Sequence, residues 1–158
     1  MSNRRMTTKS ERGMALLVSL VFLLLLTLIG ISSMQNATLQ EKMAGSVTLR
    51  NQSFQVAEAA LRIGESAVQL DAYSLPVCSG TQCLPPAESS SVSATGFNST
   101  SGVTWIAAGS GFYGVQNIGT TVTAVNVPSG TSATLYRVTS VAQVGTSRSV
   151  LESIYAKF

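Results

Sequence analysis

The sequence predicts an α+β fold: a long N-terminal α-helix, first transmembrane and then amphipathic, packed on a small antiparallel β-sheet head. Three observations predict it. Residues 14–31 form an uncharged apolar run. Residues 32–70 contain no proline and repeat apolar residues at helical spacing. From residue 71 onward the composition turns to Ser, Thr, Gly and Val, with stretches that alternate at period two.

Composition narrows the function classes. The chain has 158 residues, of which 11% are charged, against about a quarter in an ordinary soluble domain. It has no histidine, which removes Ser-His-Asp and Cys-His nucleophilic systems and the commonest metal ligand. The net charge of +3 resides in residues 1–13, where Arg4, Arg5, Lys9 and Arg12 face Glu11 alone; the remainder holds six basic and six acidic residues. No basic face is left for a phosphate backbone, so no nucleic-acid partner is expected. The head carries only Asp71, Glu88 and Glu152 as carboxylates, and they are not grouped. No enzyme, metal site, cofactor or small-molecule substrate is expected.

The elements follow in order. MALLVSLVFLLLLTLIGI, residues 14–31, covers about 27 Å as a helix, close to the hydrocarbon thickness of a bilayer. It exceeds the roughly 7–15 apolar residues of a cleaved secretory signal. Ser19 and Thr27 are its only hydroxyls, too few for the polar stripe of a core helix. All positive charge in excess lies on its N-terminal side, so residues 1–13 are expected in the cytoplasm and the rest is expected to be exported. In residues 32–70, Leu39, Met43 and Val47 lead into Phe54, Ala57, Leu61, Gly64 and Val68, which predict the buried stripe. Glu58, Arg62 and Glu65 mark a solvated face. The two halves predict one rod of about 85 Å, with Gly30 and Gly45 as its weak points.

In the head, residues 85–102 lack periodicity and predict a long loop. Strands are expected over 103–107, 121–127, 134–144 and 149–156, with a hairpin turn over 145–148. In the third of these, Tyr136, Val138 and Val144 share one face, Arg137 and Thr139 the other. Cys78 and Cys83 are the only cysteines. In an exported head, such an isolated pair is expected to form a disulfide.

The junction Arg12-Gly13-Met14 joins a short basic leader ending in glycine to the apolar helix without a spacer. In this the sequence resembles the type IV pilins. The resemblance implies a prepilin leader over 1–13, removed by prepilin peptidase after Gly13, and Met14 as the N-methylated terminus. It further implies that residues 14–31 anchor the chain in the inner membrane and later pack in the filament core. More narrowly, RGMALLVSLVFLLLLTLIGISSMQNATLQEKMAGS and FQVAEAALRIGE resemble the N-terminal region of the PilX family of minor pilins. YRVTSVAQVGTSRSVLESIYAKF resembles that family's closing hairpin. The partners implied are other minor pilins, the major pilin, a tip-associated adhesin and the inner-membrane assembly platform.

One departure carries a functional expectation. Most pilins have a glutamate five residues into the mature chain, where it meets the terminal amine of a neighbour; here that position is Val18. A carboxylate in lipid or a filament core is costly unless a neighbour neutralises it. A subunit without it can have its own amine received but cannot receive one, which suits the leading end of a filament. Two other readings compete. A type II secretion pseudopilin of the tip class also lacks the glutamate, but such subunits carry a much larger inserted domain than the residues after Leu70 allow. An uncleaved, membrane-anchored periplasmic binding module would keep residues 1–13 regardless of any peptidase.

Overall fold

The computed structural model describes residues 11–158. A single helix, α1, runs Glu11–Gln69. Five strands follow: β1 (Gly96–Phe97), β2 (Thr104–Ala108), β3 (Gly111–Thr121), β4 (Ala133–Val144) and β5 (Ser147–Lys157). They form one antiparallel sheet in sequential order, β1-β2-β3-β4-β5. The chain divides into two compact units between Gly45 and Ser46. The second holds the last part of α1 and the whole sheet.

In that unit α1 lies on one face of the sheet. Its buried residues are Ser53, Ala57, Ala60, Gly64 and Val68. Ala60 and Val68 pack in one core with Tyr113, Val115, Tyr136 and Val138 from β3 and β4, and Gly64 lies against Val138 and Tyr113. Of the expected stripe, Ala57, Gly64 and Val68 are buried, whereas Phe54 is 48% exposed and Leu61 only partly buried; Ser53 and Ala60 complete the contact face. The reason is the small size of the true contact residues. Ser, Ala and Gly let the helix backbone approach the sheet, and larger neighbours are left to flank it. Ser53 donates its single hydroxyl proton to the Arg50 carbonyl at 2.9 Å and accepts from Ser149 and Ser147 at 2.8 and 3.2 Å. Ser153 donates to Glu65 at 2.6 Å, so Glu65 tethers helix to sheet, while Glu58 and Arg62 pair at 2.6 Å on the solvated side.

The opposite face of the sheet is covered by the chain between α1 and β2. Two 3₁₀ turns, Gly80–Cys83 and Ala87–Ser90, lie in this segment, so residues 85–102 are a structured cover that also includes β1. A second core of Val103, Trp105 and Val141, flanked by Val92 and Phe112, seals it. β3 is therefore buried on both faces, which erases polar–apolar alternation. This is why the sequence pattern missed it. Residues 122–127 do alternate, but β4 begins at Ala133 opposite Thr121. They lie in the connecting loop, where no neighbouring strand continues the ladder. The last hairpin is tighter than expected: Val144 pairs with Ser147, and Gly145 supplies the positive φ of 57° at the first of two turn residues.

Tyr73 stacks edge-on against Tyr136 at 5.7 Å beneath the end of α1. Burial, with Tyr113 and Tyr136 beside it, pushes its phenol from 10.0 up to about 12. A raised folded-state value means that the neutral phenol is favoured by the fold. Its stabilising contribution is complete below pH 10 and lost as pH rises through about 12. Absorbance titration of the phenolates should show one tyrosine ionising last, and Tyr73→Phe should remove that step.

Candidate assembly helix and processing junction

The residues singled out by the sequence fall into two places. Gly13, Met14 and Val18 occupy the start of α1, with Met14 and Val18 one turn apart on the same side of the helix. Cys78 and Cys83 lie in the head. Arg4, Arg5 and Lys9 lie outside the described residues.

Along residues 14–31 every side chain is exposed, with Met14 at 66% and Val18 at 50%. The two hydroxyls are satisfied within the helix itself. Ser19 donates to the Leu16 carbonyl at 2.9 Å and Thr27 to the Leu24 carbonyl at 2.8 Å. An α-helix already pairs its backbone groups internally, and with these hydroxyls internally bonded the segment presents an unbroken apolar surface. By length and composition this helix can cross a membrane. Its outward chemistry suits a bilayer or a bundle of similar helices. A Cβ placed on Gly13, Gly30 or Gly45 would meet nothing within 4 Å. The fold of this chain therefore makes no steric demand for glycine at position 13.

In the head, Cys78 and Cys83 form a disulfide with Cα atoms 5.2 Å apart. The loop it closes is also fastened to the sheet by side chains that the sequence reading had not singled out. Gln116 donates to the carbonyls of Gln82 and Leu84 at 2.6 and 3.1 Å. Arg137 donates to the Cys83 carbonyl at 2.6 Å and to Glu152 at 3.1 Å. The Cys78 N–H donates to the Asn117 carbonyl at 2.8 Å, beside a bulge between Asn117 and Gly119. Further along, Arg148 donates to the Val92 carbonyl at 2.9 Å, and Glu88 accepts from Ser101 and from the Trp105 indole. The available signal was parity: Arg137 sits in β4 on the face away from α1, where a charged side chain needs either water or a partner.

This redundancy sets an expected result. A disulfide closing so short a loop contributes about 2 kcal/mol at most in the chain-entropy model. Reduction should lower the unfolding free energy by no more than that. The emission of the lone tryptophan, Trp105, should not shift before unfolding, because Gln116 and Arg137 still hold the loop. An early red shift on reduction would show instead that the disulfide alone retains the cover.

A long apolar helix that continues into the helix of an α+β head, above a four- or five-stranded antiparallel sheet, defines a type IV pilin-like protein. Residues 12–62 match the family model described as PilX N-terminal. Over these residues the chain is similar to the PilX family of type IV pilus minor pilins. Neither curated proteins nor solved structures give a significant match. The matched region spans the apolar run and most of the helix that packs on the sheet, and it ends before the disulfide loop.

Proposed function

We propose that this chain helps initiate type IV pilus assembly and sits at the pilus tip, after prepilin peptidase has removed residues 1–13 and methylated Met14. Before assembly it is a single-pass inner-membrane protein with its head in the periplasm. Afterwards it is part of the pilus at the cell surface, where it supports pilus-dependent motility and adhesion. It has no catalytic role. Its mechanism is helix packing: residues 14–31 leave the bilayer and join equivalent helices of other minor pilins and the major pilin. The inner-membrane assembly platform drives that transfer, and a tip-associated adhesin lies beyond it.

The observation that carries this reading is the start of the helix. An uncharged, fully exposed apolar surface begins at Met14, directly after Arg12-Gly13, and has Val18 in place of a carboxylate. Without that carboxylate the subunit offers nothing to an incoming amine, so no subunit need lie ahead of it. The absence of a steric reason for Gly13 within the fold fits a requirement imposed by a peptidase.

Intact-mass measurement and N-terminal sequencing, with and without a coexpressed prepilin peptidase, test the reading. The expected product begins at N-methylated Met14 only when the peptidase is present, and Gly13→Leu should leave the leader attached. A chain that keeps residues 1–13 in every case would instead support an anchored binding module.

A further inference from the structure

β5 is an edge of the sheet, and its register fixes which of its backbone groups are occupied. Pairing with β4 is continuous from Val144↔Ser147 to Thr134↔Lys157. The two-residue turn closes on Val144 and Ser147 as a hydrogen-bonded pair, so the odd-numbered residues of β5 direct their N–H and C=O groups to β4. Arg148, Val150, Glu152, Ile154 and Ala156 direct theirs away from the sheet. Among the described residues no strand pairs with that outer edge. Eleven residues is a long edge to leave open, since exposed edges are templates for further pairing.

A groove of about 390 Å³ lies against the beginning of this edge. Arg50, Asn51 and Phe54 of α1 form one wall, and residues 148–151 form the other. No carboxylate lines it. Among the described residues the Arg50 guanidinium has no hydrogen-bond or ion-pair partner. The nearby acids are engaged elsewhere: Glu58 with Arg62, Glu152 with Arg137. Phe54, one helical turn from Arg50, is half-exposed. The groove thus combines free strand hydrogen-bonding groups, an apolar wall and an uncompensated cation.

We propose that the free edge of β5 takes an extended, acidic segment of a partner protein, which adds a strand to the sheet and sets a carboxylate against Arg50. Main-chain hydrogen bonds to the even-numbered residues supply affinity, and Arg50 with Phe54 supplies selectivity. A second copy of this chain is a poorer occupant. Its acids in the described residues lie on α1 (Glu11, Glu41, Glu58, Glu65), in the turn after it (Asp71), in the inner cover (Glu88) or on β5 itself (Glu152). Only Glu152 stands on an extended edge, and it is already paired with Arg137.

The test uses the full chain in detergent and two fluorescein-labelled nonapeptides of alternating threonine and valine, one with aspartates at both ends, the other with lysines. Fluorescence anisotropy should show the aspartate peptide binding at least tenfold more tightly. Arg50→Glu should reverse the preference. Val150→Pro removes an outward N–H and no bond to β4, and should weaken the aspartate peptide at least tenfold with unchanged Trp105 emission. Failure of either peptide to bind, equal binding of both, or indifference to Arg50→Glu overturns the proposal. So does a dimer of the full chain, seen in sedimentation without peptide and abolished by Val150→Pro, because the edge would then belong to a second copy.

Discussion

Gly64→Leu is expected to lower the stability of the head by roughly 3 kcal/mol, the upper end of what overpacking a well-filled core costs. The reason is contact distance. A Cβ at Gly64 would stand 2.6 Å from a methyl of Val138 and 2.8 Å from the Tyr113 ring, both buried in the helix–sheet interface. Neither neighbour has room to retreat, since Val138 sits at the centre of the sheet between β3 and β5. Alanine at the same position meets the same two groups but regains about 1 kcal/mol of helix propensity, so Gly64→Ala should cost less than leucine. Urea titrations followed by Trp105 emission measure both. A leucine variant within 0.5 kcal/mol of wild type, roughly the scatter of harmless surface changes, would show that α1 can slide on the sheet.

Glu88→Ala is expected to cost about 3 kcal/mol and to shift Trp105 emission to the red. The Glu88 carboxylate accepts a hydrogen bond from the Ser101 hydroxyl and another from the Trp105 indole N–H at 3.2 Å. Trp105 is only 3% exposed, so removing the acceptor strands a buried donor, at about 1–3 kcal/mol for each such group. Glu88→Gln keeps an acceptor oxygen and should recover much of the loss. If alanine and glutamine behave alike, the carboxylate does not hold the cover. The two substitutions probe opposite faces of one sheet, Gly64 in α1 and Glu88 in the segment that covers the other face. Their effects should add when combined, since they share no contact.

The Glu88 pair also shows why part of this molecule was hidden from its sequence. Glu88 stands in PPAESSSVSATGFNSTSG, a stretch without period that reads as a solvated loop. Nothing local announces that its carboxylate meets an indole 17 residues later. The same holds for Gln116 and Arg137, whose partners are backbone carbonyls of the disulfide loop, more than 30 residues earlier in the chain. Arg50 belongs to the same group: on the helix it is one more exposed cation, and only β5 beside it makes a groove. By contrast, the processing junction is entirely local. Gly13, Met14 and Val18 draw their meaning from neighbours within a few residues, and the structure adds only that their side chains are outward and unoccupied.

What the residues determined unaided were those features written at a fixed short period or as a run. The uninterrupted helix, its apolar half, the last hairpin around Gly145 and the nearness of Cys78 to Cys83 are of this kind. Tertiary structure decided the exact limits of the buried side of α1, the existence of β3 and the structured cover over the outer face. Periodicity records a difference in solvent exposure between two sides of an element, and it fades when both sides are covered, as on β3. It also misleads where small residues make the closest contacts. The stripe read from the sequence rightly held Ala57, Gly64 and Val68, but it also took in Phe54 and Leu61 and left out Ser53 and Ala60, where the approach of two backbones fixes the buried side.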